Sequence, residues 1–231
     1  MKSLIIIPAR GGSKGIPGKN ITLLGGKPLI CHTIDVAKQI SPDSDICLST
    51  DDEKIIKVAE EYGLKVPFVR PAYLAADNSG TYEVLLHALE FYEAQGKKYD
   101  KIILLQPTSP FRTVEDIENS VRLYRDDIDM VVSVKESEAN PYYNLFEEDG
   151  EGFLLHSKGD GEYKRRQDAP KMWEYNGAVY VINPKSLKDS PLSQFKKIVK
   201  YVMPEERSLD LDTPLDWKIA EAVISEMQEK G

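Results

Sequence analysis

Residues 4–20 read LIIIPARGGSKGIPGKN: an apolar run that ends at Pro8, then a loop with four glycines, a second proline, and the cations Arg10, Lys14 and Lys19, without one acid. A buried first strand followed directly by a glycine-rich turn is how a parallel α/β sheet begins, since open sheets of this kind hold ligands outside the carboxyl ends of their strands. Glycine lets successive amide N–H groups converge on one anion, and Arg and Lys neutralise what charge remains. Two familiar loops are excluded by spacing. The Walker A pattern requires Gly five residues before Gly-Lys and Ser or Thr after it, where this chain has Ser13 and Asn20. The dinucleotide pattern requires Gly-x-Gly, which glycines at 11, 12, 15 and 18 never form. A solvated loop is the alternative; prolines and cations set immediately after a buried strand favour phosphate binding.

Working outward, apolar strand-like runs at 4–8, 46–50, 66–69, 102–106 and 130–135 alternate with helical patterns, as βαβ units do. Pro28 opens a helix whose Leu29, Ile30, Thr33, Ile34 and Ala37 share a face. Ile55, Ile56, Ala59 and Tyr62 form a second, ending at Gly63, and Val84, Leu85, Ala88, Leu89 and Tyr92 a third, ending at Gly96. Thr113 with Asp116 makes a capping box for a fourth, to about Arg125. From 136 to 175 the pattern turns to Pro, Gly, charge and short aromatic pieces, which read as irregular β-hairpins inserted in the frame. Strands at 178–182 and 198–203 follow, then a helix using Leu215, Ile219, Ala222 and Val223. The expectation is one domain over residues 1–231, α/β with a mostly parallel sheet.

Composition narrows the function classes. With 41% hydrophobic and 29% charged residues the chain reads as soluble and globular, and no segment is apolar enough to span a membrane; the default location is cytoplasmic. Cys31 and Cys47 lie in apolar segments and read as buried thiols, and with three scattered histidines they make no metal cluster. The net charge of −8 argues against nucleic acid, yet no acid precedes Asp35, so the first 34 residues carry +5 and the remainder −13. A local cationic patch on an acidic chain suits a small anionic ligand.

Other stretches carry chemistry. In SLDLDTPLDW, 208–217, an extended backbone puts Leu209 and Leu211 on one side and Asp210 and Asp212 on the other. Two carboxylates on one face hold a hard cation such as Mg²⁺, completed by phosphate oxygens and water. Alternatively Asp212 or Thr213 caps the following helix, with Pro214 and Asp216 in its first turn; that leaves Asp210 unexplained. LLQPTSPFR, 104–112, lies at the carboxyl edge of a strand and reads equally as a site or as a turn and cap. Asp51 reads as a helix cap. By composition alone Arg70 is a surface cation and KRRQDAP, 164–170, a solvated face.

These motifs in this order resemble the CMP-sialic acid synthetases (acylneuraminate cytidylyltransferases), over nearly the whole chain. The carriers are IPARGGSKGIPGKNI, RPAYLAAD, QPTSPFR, RRQD, YNGAVYVI and DLDTPLDW. The resemblance implies a Rossmann-like nucleotide-diphosphosugar transferase fold, and a homodimer in which an inserted β-hairpin segment, about 136–175, serves dimerisation and reaches over the partner's site. CTP and a nonulosonic acid, most directly N-acetylneuraminic acid, are the implied substrates. The nucleotide falls to Ala9, Arg10, Gly11, Gly12, Ser13, Lys19, Asn20, Arg70, Ser79 and Thr81, and the sugar to Gln106, Ser109, Arg166 and Gln167. Mg²⁺ falls to Asp210 and Asp212, with Arg10, Lys14 and Lys19 neutralising pyrophosphate as the anomeric hydroxyl attacks the α-phosphorus. Glu174 departs from the Arg that some bacterial members place two residues before the Asn of YNGA, which bears on which sugar fits. Legionaminic, pseudaminic or another 2-keto-3-deoxy acid remains an alternative acceptor. A non-catalytic nucleotide-binding module would need the loop but neither the Asp pair nor RRQD, and a sugar-1-phosphate nucleotidyltransferase is a third, weaker reading.

Overall fold

The computed structural model describes residues 2–13, 15–76 and 80–229; the candidates Lys14 and Ser79 lie outside these described residues. The chain runs β1 (Ser3–Pro8), a short ribbon β2 (Leu23–Leu24) and β3 (Lys27–Pro28), α1 (Leu29–Ile40), β4 (Ile46–Ser49), α2 (Glu53–Glu61), α3 (Thr81–Ala94) and β5 (Lys101–Leu104). It continues through α4 (Val114–Leu123), β6 (Met130–Glu136), a hairpin of β7 (Phe146–Glu148) and β8 (Leu154–His156), β9 (Trp173–Ile182), α5 (Pro184–Asp189), β10 (Ile198–Val202) and α6 (Pro214–Glu229). The central sheet has the order β10-β6-β9-β5-β1-β4. All pairs are parallel except those of β9, which is antiparallel to both β5 and β6.

Strand β1 shows why the sheet is buried on both faces. Leu4 and Ile6 pack with Leu85, Leu89 and Tyr92 on one side, Ile5 and Ile7 with Ile34, Leu48 and Val131 on the other. A run without polar alternation is what a strand covered twice requires. Because β1 has β4 on one flank and β5 on the other, the chain reverses its direction of winding there, and the loop after β1 falls at the crevice so formed.

The capping box is present: Thr113 and Asp116 exchange side-chain and backbone bonds at the start of α4. Asp116 is wholly buried and also takes both arms of Arg207, at 3.0 and 2.9 Å. That pair anchors the turn immediately before the acidic stretch. Cys31 and Cys47 are buried and free. No helix among the described residues is long and apolar enough to cross a membrane.

Some local expectations are corrected. Residues 66–69 form no strand; Val69 makes a single bridge to Thr50. The cap of α2 is Asp52, which accepts from the Lys54 amide at 2.7 Å, and not Asp51. Helix α6 buries Ala220 and packs Trp217 and Ile224 against Leu24, Leu29 and Leu211. Its Leu215 and Ile219 face outward at 65% and 44% exposure, so the expected inward face was the wrong one.

Candidate functional site

The carboxyl ends of β1 and β5 open onto a cavity of about 570 Å³. From the loop after β1 come Arg10, Ser13, Lys19 and Asn20; Arg70 and Thr81 line a second side, Gln106 and Thr108 a third, and Asp212 closes the ring. Residues from the two ends of the sequence, Arg10 and Asp212, thus share one concave surface.

The loop is stiffened by its own bonds. Asn20 Nδ2 donates to the Arg10 carbonyl at 3.1 Å, and Gly18 takes the left-handed φ of 65° that glycine tolerates. The Ala9 amide donates to the Ser49 carbonyl at 2.9 Å and the Gly11 amide to Asp51 Oδ1 at 3.2 Å. Those two N–H groups are engaged at and just past the end of β4, and of the nucleotide candidates Ala9 and Gly11 do not line the cavity, Ala9 lying in the core. Gly12 is exposed and a Cβ there would meet nothing within 4 Å. A Cβ on Gly15, by contrast, would lie 2.1 Å from the Asp212 carbonyl oxygen. Only a bare backbone lets the loop touch the acidic stretch.

That stretch, 208–212, is not a strand: Leu209 and Leu211 pack in the cluster under α6 as expected, Asp212 is exposed on the cavity, and Asp210 is half-buried and does not line it. It is held by the Leu211 amide, which donates to the Thr108 carbonyl at 2.8 Å. Lys19, 8% exposed, donates from Nζ to the Leu211 carbonyl at 2.6 Å and to Asp212 Oδ1 at 3.0 Å. The helix cap is Thr213 in a reciprocal pair with Asp216, which accepts from the Thr213 amide at 2.7 Å while Thr213 Oγ1 accepts from the Asp216 amide at 3.2 Å. Asp212 is therefore not needed as a cap.

Asp210 is the unusual group. Its Oδ1 is buried without a hydrogen-bond partner. Burial raises its carboxyl above the ordinary carboxylate range; a Thr108 hydrogen bond opposes this, the charge of Asp212 adds to it, and Lys19 opposes it. A desolvated carboxylate with an orphaned oxygen beside a second carboxylate is a donor set suited to a hard divalent cation. No group of three or more His, Cys, Asp or Glu that could hold a metal occurs among the described residues. Two carboxylates with phosphate and water completing the shell is how Mg²⁺ is commonly held, so the residues present fit it.

The remaining candidates divide. Arg70 is not the surface cation composition suggested: it is 5% exposed, its Nε donates to Ser49 Oγ at 3.0 Å, and burial pulls its pKa down. Gln106 is half-buried on the cavity. Ser109 is fully buried, donates to the Asn176 carbonyl at 3.1 Å and does not line the cavity, so the structure gives it an internal bond in place of a sugar contact. Arg166 and Gln167 are exposed and line a separate depression with Asn140 and Lys171, Arg166 pairing with Glu138 at 3.2 Å. Within one chain they are not brought to the main cavity. Glu174 accepts from Ser137 Oγ at 3.2 Å and lies 3.7 Å from Lys135 Nζ.

Sequence reasoning missed Thr108 and Arg112. Thr108 supports the acidic stretch twice, through its carbonyl and its bond to Asp210. Arg112 is 3% exposed and donates to the carbonyls of Ala178 and Gln106 and to Thr33 Oγ1, tying the 104–112 turn to β9 and α1. Burial lowers its pKa to about 9, with Asp210 and Asp116 pulling the other way. Nothing local in QPTSPFR signals that its cation turns inward.

The model of the family described as Cytidylyltransferase matches residues 4–216. The chain belongs to the cytidylyltransferase family. Among its relatives, the CMP-N,N'-diacetyllegionaminic acid synthase of Legionella pneumophila is 35% identical over 99% of both chains. An N-acylneuraminate cytidylyltransferase of Streptococcus agalactiae serotype V is 36% identical over 94% of this chain, which spans 52% of that protein's length. The pseudaminic acid cytidylyltransferase of Campylobacter jejuni is 32% identical over the whole of both. The solved CMP:2-keto-3-deoxy-manno-octonic acid synthetase complexed with CTP superposes over the full length of both chains with a TM-score of 0.69 at 20% identity, which establishes a shared fold. The cytidylyltransferase resemblance read from the motifs and the Rossmann-like, mostly parallel α/β class are both borne out.

Proposed function

We propose that this cytidylyltransferase transfers CMP from CTP to the anomeric hydroxyl of a nonulosonic acid, releasing pyrophosphate. The observation that carries the reading is that one cavity joins the cationic loop, Arg10 and Lys19, to Asp212, whose charge couples to Asp210, a carboxylate set behind the lining with its Oδ1 lacking a hydrogen-bond partner. Triphosphate and its cation need both. Arg10, Lys19 and the amide-rich loop bind and orient the phosphates, and Arg70 and Thr81 line the side left for the nucleoside. Asp210 and Asp212 would hold Mg²⁺, which when bound supplies charge neutralisation at the leaving pyrophosphate and acidifies an attached hydroxyl. Gln106, which lines the same cavity, would orient the acceptor. None of His32, His87 or His156 lines the cavity, so no histidine base is assigned.

N-acetylneuraminic acid is the acceptor the motifs suggest first, and the names of the relatives support legionaminic and pseudaminic acids as well. Pyrophosphate release from CTP and Mg²⁺ is measured with N-acetylneuraminic, legionaminic, pseudaminic and 2-keto-3-deoxy-manno-octonic acids. Release with one nine-carbon acid is expected and names the substrate; silence with all four, from folded protein that binds CTP, leaves only the binding-module reading.

The same proposal includes a homodimer. Its support is the hairpin, where Phe146, Phe153, Leu154 and Leu155 stand 45–66% exposed, together with Arg166 and Gln167 lying off their own chain's cavity. Light scattering should give twice the chain mass, and Phe153→Asp with Leu155→Asp should lower it; a monomeric wild type that is fully active would contradict this.

A further inference from the structure

Strand β9 breaks register against β6 between Val132 and Val134, and Asn176 and Gly177 occupy that irregularity. Gly177 has φ 72°, and a Cβ there would lie 3.1 Å from Ser109 Oγ and 3.5 Å from Asp210 Oδ2. Asn176 is 2% exposed. Its Nδ2 donates to Ser208 Oγ at 2.9 Å and lies 3.3 Å from Met203 Sδ, while its Oδ1 accepts from Ser133 Oγ at 2.6 Å and the Ala178 amide at 3.2 Å. Ser208 Oγ in turn donates to the Pro204 carbonyl at 2.8 Å. One buried amide therefore joins β6, β9 and the segment after β10, two residues upstream of Asp210.

We infer that the Asn176–Gly177 bulge is a positioning device for Asp210: Asn176 fixes the start of the acidic stretch through Ser208, and Gly177, in a left-handed conformation that a side chain would strain, holds the backbone that packs against Ser109 and the Asp210 carboxylate. The inference rests on the proposed cation-holding role of Asp210. A bulge beside a site commonly re-aims a side chain, and here it leaves room for one carboxylate oxygen while the other stays without a protein partner. Asn is suited to the place because it satisfies donors and acceptors together in a pocket where an unmet polar group is costly. Both residues are buried and neither lines the cavity. Partners of this kind behind a metal ligand typically alter metal affinity by about 10- to 100-fold.

The test uses Mn²⁺ as a paramagnetic probe, titrated into the protein–CTP complex and followed by electron paramagnetic resonance. Asn176→Ala and Gly177→Ala should weaken Mn²⁺ binding about tenfold, with calorimetric CTP affinity in EDTA changed by less than about twofold. Ser208→Ala should show a smaller loss in the same direction, and Ser208→Thr, which keeps the hydroxyl, should restore it. If Asn176→Ala does not fold, the Ser208 pair decides the question. Unchanged Mn²⁺ affinity in variants that only melt earlier would overturn the inference, leaving a purely structural hydrogen-bond hub. Asp210→Asn run alongside separates the two layers: if it too binds Mn²⁺ normally, the cation-holding reading falls; if it alone loses the ion, only the positioning role falls.

Discussion

Asp210→Asn should lower turnover by about two to three decades, roughly 3–4 kcal/mol of transition-state stabilisation. The substitution keeps the shape of the side chain and its place beside Thr108, but removes the charge that its desolvated setting holds in reserve for a cation. Since the lost interaction concerns charge developing on pyrophosphate, kcat should fall far more than CTP affinity changes, and the Mg²⁺ concentration for half-activity should rise. Steady-state pyrophosphate release over a Mg²⁺ series checks this. Near-normal turnover at ordinary Mg²⁺ would remove Asp210 from the chemistry.

Lys19→Ala is the second large effect, expected on binding. The ammonium is buried, tethers the loop to the acidic stretch through the Leu211 carbonyl and Asp212, and lines the cavity. Removing it deletes a cation for the phosphates, orphans a buried carbonyl and frees the loop against which Gly15 packs. Charge-assisted bonds are worth about 1.5–3 kcal/mol each, so CTP affinity should fall by roughly two decades. Calorimetry with CTP, on protein whose circular dichroism is unchanged, gives the result. An unaltered affinity would mean that Lys19 serves the fold alone.

The frame was legible because its signals are local. An unbroken apolar run at 4–7 declares a strand covered on both faces, and the Thr113/Asp116 box and Gly63 and Gly96 stops mark helix ends that the structure keeps. What failed depended on three-dimensional partners. Asp51 and Asp52 are equivalent caps on paper; the Gly11 amide takes one of them, a contact across forty residues. On α6 Leu215, Ile219, Ala222 and Val223 share helical spacing, but so do Trp217, Ala220 and Ile224, and it is these that the cluster around Leu24 and Leu211 receives. Residues 66–69 have strand composition, and Val66 and Phe68 pack against the core, yet their backbone makes the Thr50–Val69 bridge without forming a strand.

The site was legible unevenly for the same reason. Arg10, Lys19, Asn20, Arg70, Thr81, Gln106 and Asp212 converge on one cavity, as the motifs required. Ala9 and Gly11 spend their amides on the sheet edge, and Ser109 spends its hydroxyl on Asn176. A motif conveys which residues belong together, not which of them face inward. The supports, half-buried Thr108 and buried Arg112 and Asn176, carry no composition signal, because a polar residue that satisfies itself within the protein looks in sequence like one exposed to water.

The most direct test of the proposed reaction follows the α-phosphorus. CTP labelled at that atom is incubated with the protein, Mg²⁺ and the accepted nonulosonic acid, and the products are separated. The label is expected to move into a CMP-sugar in amounts equal to the unlabelled pyrophosphate released. Label remaining in CTP, or appearing only as free CMP whether or not the acid is present, would contradict it.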